Sequence, residues 1–212
     1  MAIHPVAVQN TFGRHLILWC MFLPLMALIF IPMLLPEQTV NPSEVEMVAG
    51  FNIDVNSLTE AANARFQSMF VDSGLVPRTE QFFAPSPTSS QSAATTSIQS
   101  FGEQWVHGVW LMVYKAIWRA YVLLRIFFLP LLVLSIAAAV DGFGVRARKK
   151  YRFETTNPVF FYSSTHLVVL MAGMFAFLPL APITFSMTML VGLLVAMAAG
   201  VWWSSSNFQT GT

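Results

Sequence analysis

The sequence predicts an all-α integral membrane protein with four transmembrane helices, and three observations carry that prediction. Of its 212 residues, 56% are hydrophobic and 10% charged, whereas soluble domains carry about 25% charged residues. Mean hydropathy is +0.63. The charges are segregated, so that no Asp, Glu, Lys or Arg follows Glu154.

The first element is the uncharged run from Leu16 to Leu35. Its length suits a hydrocarbon core of about 30 Å at 1.5 Å per residue. Pro24 and Pro32 lie inside it, which membrane helices tolerate. A cleaved signal peptide is the rival reading. The run is longer than an apolar signal region and ends in Leu34-Leu35-Pro36-Glu37 without a small-residue cleavage site. Residues 1–36 are therefore read as an amino-terminal segment with the first span.

Residues 37–104 form a polar segment that opens with Pro36 and Asn41-Pro42. Ser57-Leu58-Thr59-Glu60 has capping-box spacing and predicts a helix through Phe70, closed by Gly74 and Pro77. Residues 84–100 hold no charge and little apolar content, which predicts a flexible linker.

In residues 105–140, Trp110, Tyr114, Trp118 and Tyr121 share one helical face, and Lys115 and Arg119 lie one turn apart on a neighbouring face. Such a pairing suits aromatic belt and snorkelling residues at a membrane–water interface. Arg125 begins the second span, and one long helix from about Trp105 to Val140 would satisfy both halves. Asp141-Gly142-Phe143-Gly144 predicts its end. A basic loop over residues 141–157 follows, with Arg146, Arg148, Lys149, Lys150 and Arg152. Within residues 158–212, spans of about Val159 to Leu178 and Ile183 to Trp203 predict a hairpin around Leu178-Pro179-Leu180-Ala181-Pro182.

Charge sets the expected orientation. The basic loop should be cytoplasmic by the positive-inside rule. Residues 37–104 hold eight acidic residues against Arg65 and Arg78, and should lie outside. Both ends are then cytoplasmic, with one periplasmic loop of about 70 residues.

No catalytic constellation stands out, and the sequence predicts neither metal site nor cofactor. His4, His15, His107 and His166 are scattered, and Cys20 is alone. Packing chemistry is more evident. Gly192, Ala196 and Gly200 recur every four residues, as do Ala172 and Ala176 beside Gly173. Small residues at this spacing let helices approach closely in lipid. The stripe either packs the third span against the fourth or receives a partner's helix. The basic loop either touches lipid phosphate as a topology determinant or docks a cytoplasmic protein. Direct nucleic-acid binding is not expected, because the loop has only Tyr151 and Phe153 to stack on bases.

At Asp141-Gly142-x-x-Val145-Arg146-x-x-Lys149-x-Tyr151-Arg152-Phe153 the sequence resembles a family of bacterial inner-membrane proteins encoded with integrating conjugative elements and conjugative plasmids. Its layout is also similar to the four-span membrane partner of the coupling protein in some plasmid transfer systems. In this chain Tyr162 and His166 stand one turn apart, where the family has the two adjacent. The resemblance implies an inner-membrane, non-enzymatic component of a conjugative type IV secretion system that scaffolds the coupling ATPase or the channel. Its expected partners are membrane lipid, other transfer-apparatus membrane proteins and a possible second copy. Candidate partner-binding residues are Gly192, Ala196 and Gly200, Arg125, Asp141 and Gly142, and the basic residues Arg146, Arg148, Lys149, Lys150 and Arg152. Other readings are an unrelated small membrane assembly subunit, a small transporter, or an exclusion factor.

Overall fold

The computed structural model describes residues 12–37, 39–84, 93–151 and 158–208, which are helical and contain no strand. Four helices are long and apolar enough to cross a membrane: Phe12–Leu34, Gln99–Tyr151, Val159–Leu180 and Met187–Ser206. The first of these is α1. It holds a π-helical stretch at Leu18–Phe22, just before Pro24. Along the long apolar helices a second π stretch, Leu123–Phe127, precedes Pro130. A proline ring crowds the carbonyl four residues back, and a widened turn absorbs it without breaking the helix.

Three short helices build the polar segment: α2 (Pro42–Gly50), α3 (Val55–Phe66) and α4 (Leu75–Phe83). Asn41 caps α2 by accepting the Ser43 amide at 3.0 Å. The cap of α3 is Asp54, which accepts the Asn56 amide at 3.0 Å, so the helix starts before the expected capping box at Ser57. Gly74 breaks the chain with φ +77°, but Pro77 sits inside α4. A proline in the first turn removes no intrahelical bond. Residues 84–100 are not wholly a linker. Helix α5 (Ala93–Val122) begins within them, and residues 85–92 lie outside the described residues.

Helix α5 continues through the second π stretch into α6 (Phe128–Tyr151) without a break. This run has a contour of roughly 90 Å at 1.5 Å per residue, about three times a hydrocarbon core. The expected break at Asp141-Gly142-Phe143-Gly144 does not occur, and Arg146, Arg148, Lys149 and Lys150 lie on the last turns of α6 instead of in a loop. Tertiary packing overrides the poor local propensity, and cations suit a helix C-terminus. Arg152 lies outside the described residues.

Helix α7 (Pro158–Phe177) ends in a 3-10 turn at Leu178–Leu180, where the hairpin was expected. Ser186 then caps α8 (Met187–Ser206), accepting the Met189 amide at 3.2 Å. Helices α6 and α8 run parallel, since Phe127 clusters with Leu190 while Gly142 meets Ser205. Helices α1 and α7 run parallel to each other and opposite to that pair: His15 meets His166, and Trp19 meets Gly173.

The aromatic stripe of α5 does not form a belt against lipid. It carries the polar segment. Trp110 donates to Thr79 at 3.0 Å, Trp118 to Thr59 at 3.2 Å, and Tyr114 to Asn63 at 2.7 Å. Each aromatic thus buries its body and satisfies its polar tip. Val48, Leu58, Ala62, Trp118 and Val122 form the small core of this cap. A second core of Phe127, Met171, Leu178, Phe185, Leu190, Leu193 and Leu194 lies below it in the spans.

Arg119 does not snorkel. It is fully buried with Glu44, each with 0% exposure. Its Nε donates to Glu44 Oε2 at 3.0 Å, and one Nη to Glu44 Oε1. The remaining donors reach the carbonyls of Leu178, Ala181 and Ile183 in the α7–α8 turn. Glu44 also accepts the Phe185 amide at 2.9 Å. Cap, long helix and hairpin turn therefore meet at one ion pair.

Removing one partner leaves a lone buried charge, which costs about 3–5 kcal/mol. Arg119→Met and Glu44→Met should each destabilise the detergent-solubilised protein by that amount. The double variant should lose less than the sum of the two. Additive losses in thermal unfolding would refute the coupling.

Candidate functional site

The sequence-selected residues concentrate at the end of the bundle opposite the cap. Gly142 is buried where α6 crosses α8. A Cβ at that position would lie 2.7 Å from the Ser205 Cβ and 2.8 Å from the Trp202 carbonyl. Only glycine allows this approach. Asp141 accepts the Trp202 indole N–H at 2.7 Å, and Lys149 donates to Asn207 at 3.3 Å. The Asp-Gly pair and Lys149 thus stitch α6 to the end of α8.

Phe208 closes this end. Its ring centroid lies 5.6 Å from Phe161, 6.2 Å from Phe143 and 5.3 Å from the Arg146 guanidinium carbon. The chain of rings continues from Phe161 to Tyr162 at 5.4 Å and from Tyr162 to Phe12 at 5.9 Å. His166 packs on Phe12 at 4.6 Å and on His15 at 4.9 Å. All four long apolar helices are tied together here. Phe208, Asn207 and Phe12 were not among the residues the sequence singled out.

Other members of the selected set do not join this structure. Arg148 stands 4.0 Å from Asp141, with both side chains about two-thirds exposed at 67% and 64%. Such a pair contributes little and leaves both groups open to solvent or partner. Lys150 is exposed, and so is Tyr151 at 86%. Arg125 is also exposed, but it lies in the π stretch that precedes α6, away from this end. The outward chemistry of this end is cationic, with Arg14 exposed on α1 and Arg148 and Lys150 exposed on the last turns of α6. Such a surface attracts phosphate or an acidic protein face.

The small-residue stripe on α8 divides. Gly200 is buried, and a Cβ there would lie 3.1 Å from Val168 on α7. Ala196 packs against the span core. Gly192 faces open space, with nothing within 4 Å of an added Cβ. Spacing by four drifts about 40° per step around a helix with 3.6 residues per turn. One end of the stripe is therefore turned into α7 while the other faces outward.

The sequence model of one protein family, described as DtrJ-like: IncC plasmid conjugative DNA transfer protein DtrJ-like, matches residues 33–209. No curated protein and no solved structure matches the chain.

Two glycines in one motif should respond in opposite ways. Gly142→Ala should destabilise the protein by about 1–3 kcal/mol, the usual cost of overpacking. Gly144→Ala, with nothing within 4 Å, should be neutral or stabilise by up to about 1 kcal/mol through helix propensity. Thermal unfolding in detergent reads both; equal losses would refute the close crossing. On α8, Ala196→Ile should lower abundance, whereas Gly192→Leu should leave it unchanged. Immunoblotting of membranes distinguishes the two.

Proposed function

The chain belongs to the DtrJ-like family of conjugative DNA transfer proteins, and from that premise we propose that it is a non-enzymatic scaffold in the bacterial inner membrane. In this reading both ends of the chain are cytoplasmic. The basic end docks the coupling ATPase of a type IV secretion apparatus, and the acidic cap meets periplasmic channel proteins. The protein makes no direct contact with DNA. The observation that carries the reading is the segregation of charge along one helical run. Its upstream half bears the acidic cap, and its last turns bear Arg146, Arg148, Lys149 and Lys150. A continuous helix of this kind offers one partner surface on each side of a membrane and a fixed geometry between them.

The exposed cations are the part of this surface that does not hold the bundle together. Reversing a rim charge changes association more than folding. Arg148→Glu with Lys150→Glu should leave the protein abundant, weaken capture of the coupling ATPase about tenfold for each 1.4 kcal/mol lost, and reduce transfer in a mating assay. Undiminished capture and transfer would refute this docking face. Reporter fusions after residues 75 and 95 should read periplasmic, and those after 150 and 210 cytoplasmic. A cytoplasmic signal at residue 95 would overturn the orientation and the docking assignment together.

A further inference from the structure

The outer side of α1 bears an open groove, lined mostly by residues that make none of the contacts above. A cavity of about 600 Å³ is lined by Ile17, Cys20, Met21, Leu25, Leu28 and, from the hairpin turn, Leu180. A second cavity of about 330 Å³ is lined by Arg14, His15, Ile17, Leu18 and Phe22. Ile17 and Phe22 border both cavities, so the two form one groove. Only its Arg14 end carries charge. The groove follows the π-helical stretch Leu18–Phe22, a kind of turn that recurs at functional sites.

We propose that this groove holds one anionic phospholipid, with its phosphate at Arg14 and an acyl chain running along Met21 and Leu25 towards Leu28. Length selects the occupant. From Ile17 to Leu28 the groove follows α1 for roughly 16 Å at 1.5 Å per residue. That is close to half of a hydrocarbon core of about 30 Å, the depth of one leaflet. A partner's transmembrane helix would need the whole depth. The groove stops where α1 turns onto the long helix, with Pro32 and Pro36 against Gly108. Charge selects the headgroup. Arg14 is exposed at the bundle end that also presents Arg148 and Lys150, and an arginine at the mouth of an apolar groove pairs with phosphate through its planar fork. An anionic headgroup is favoured over a zwitterionic one because, among the described residues, no carboxylate lines this mouth to meet a choline. The proposal needs α1 to lie in the membrane and is independent of any role in docking the ATPase.

The test uses the full chain in mild detergent, titrated with phosphatidylglycerol or phosphatidylcholine and observed by native mass spectrometry. The intact protein should retain one phosphatidylglycerol at a several-fold lower lipid concentration than phosphatidylcholine. Arg14→Gln should abolish that preference and leave weak, equal binding. Met21→Trp should fill the groove and weaken both lipids, and Leu25→Trp serves if that variant does not accumulate. Cys20 is the chain's one cysteine and lines the groove, so phosphatidylglycerol should slow its alkylation by N-ethylmaleimide in the parent and not in Arg14→Gln. Equal retention of the two lipids would overturn the proposal. So would a preference that survives Arg14→Gln but is lost in Arg148→Gln with Lys150→Gln. Protection of Cys20 that persists after complete delipidation would instead assign the groove to a protein helix.

Discussion

The Arg119 guanidinium sets the geometry of the whole molecule. It has five N–H donors in a rigid fork, and the structure gives it five acceptors: both oxygens of Glu44 and the carbonyls of Leu178, Ala181 and Ile183. Those carbonyls lie just past the end of α7, where helical bonding has run out and acceptors need partners. Phe185 lies against the fork with its ring centroid 4.3 Å from the guanidinium carbon. A lysine has three donors on a point charge and cannot span this set. The hairpin turn could not be buried beneath the cap without this fork, nor could the charge be buried without the turn.

From that point the molecule is organised in two directions. Towards the cap, Trp110, Tyr114 and Trp118 on α5 each give one hydrogen bond to α3 or α4. Towards the other end, helices α6 and α8 run side by side and are pinned at Gly142 and Phe208. The same residue types serve both jobs. Tryptophan and tyrosine face an interface equally well whether the other side is lipid headgroup or a folded polar segment, because each has an apolar body and one polar handle.

That equivalence explains what the sequence did and did not reveal. The apolar runs were legible because hydropathy is a local property, and the hairpin was legible because Pro179 and Pro182 restrict the backbone where they stand. The aromatic stripe was legible as a face but not for what covers it. The join between Glu44 and Arg119 spans 75 residues, and no local pattern announces it. At Asp141-Gly142-Phe143-Gly144 the local chemistry pointed the wrong way. Turn-forming residues were read as a turn, although Gly142 is there to admit Ser205 and the Trp202 carbonyl. The small-residue stripe was read as having one use along its whole length because counting by fours ignores the rotation that separates Gly192 from Gly200.

The parallel pairing of α6 and α8 imposes an order on biosynthesis. Two neighbouring helices that cross in the same sense can meet only after the chain has come back through α7 and crossed once more. Roughly 60 residues separate Gly142 from its partners, which at 5–20 residues per second is a delay of about 3–12 s. During that interval the notch at Gly142 and the carboxylate of Asp141 have no α8 to receive them. The basic end of the bundle is therefore the last part of the protein to close, after the cap and its ion-pair partner Arg119 have already been made.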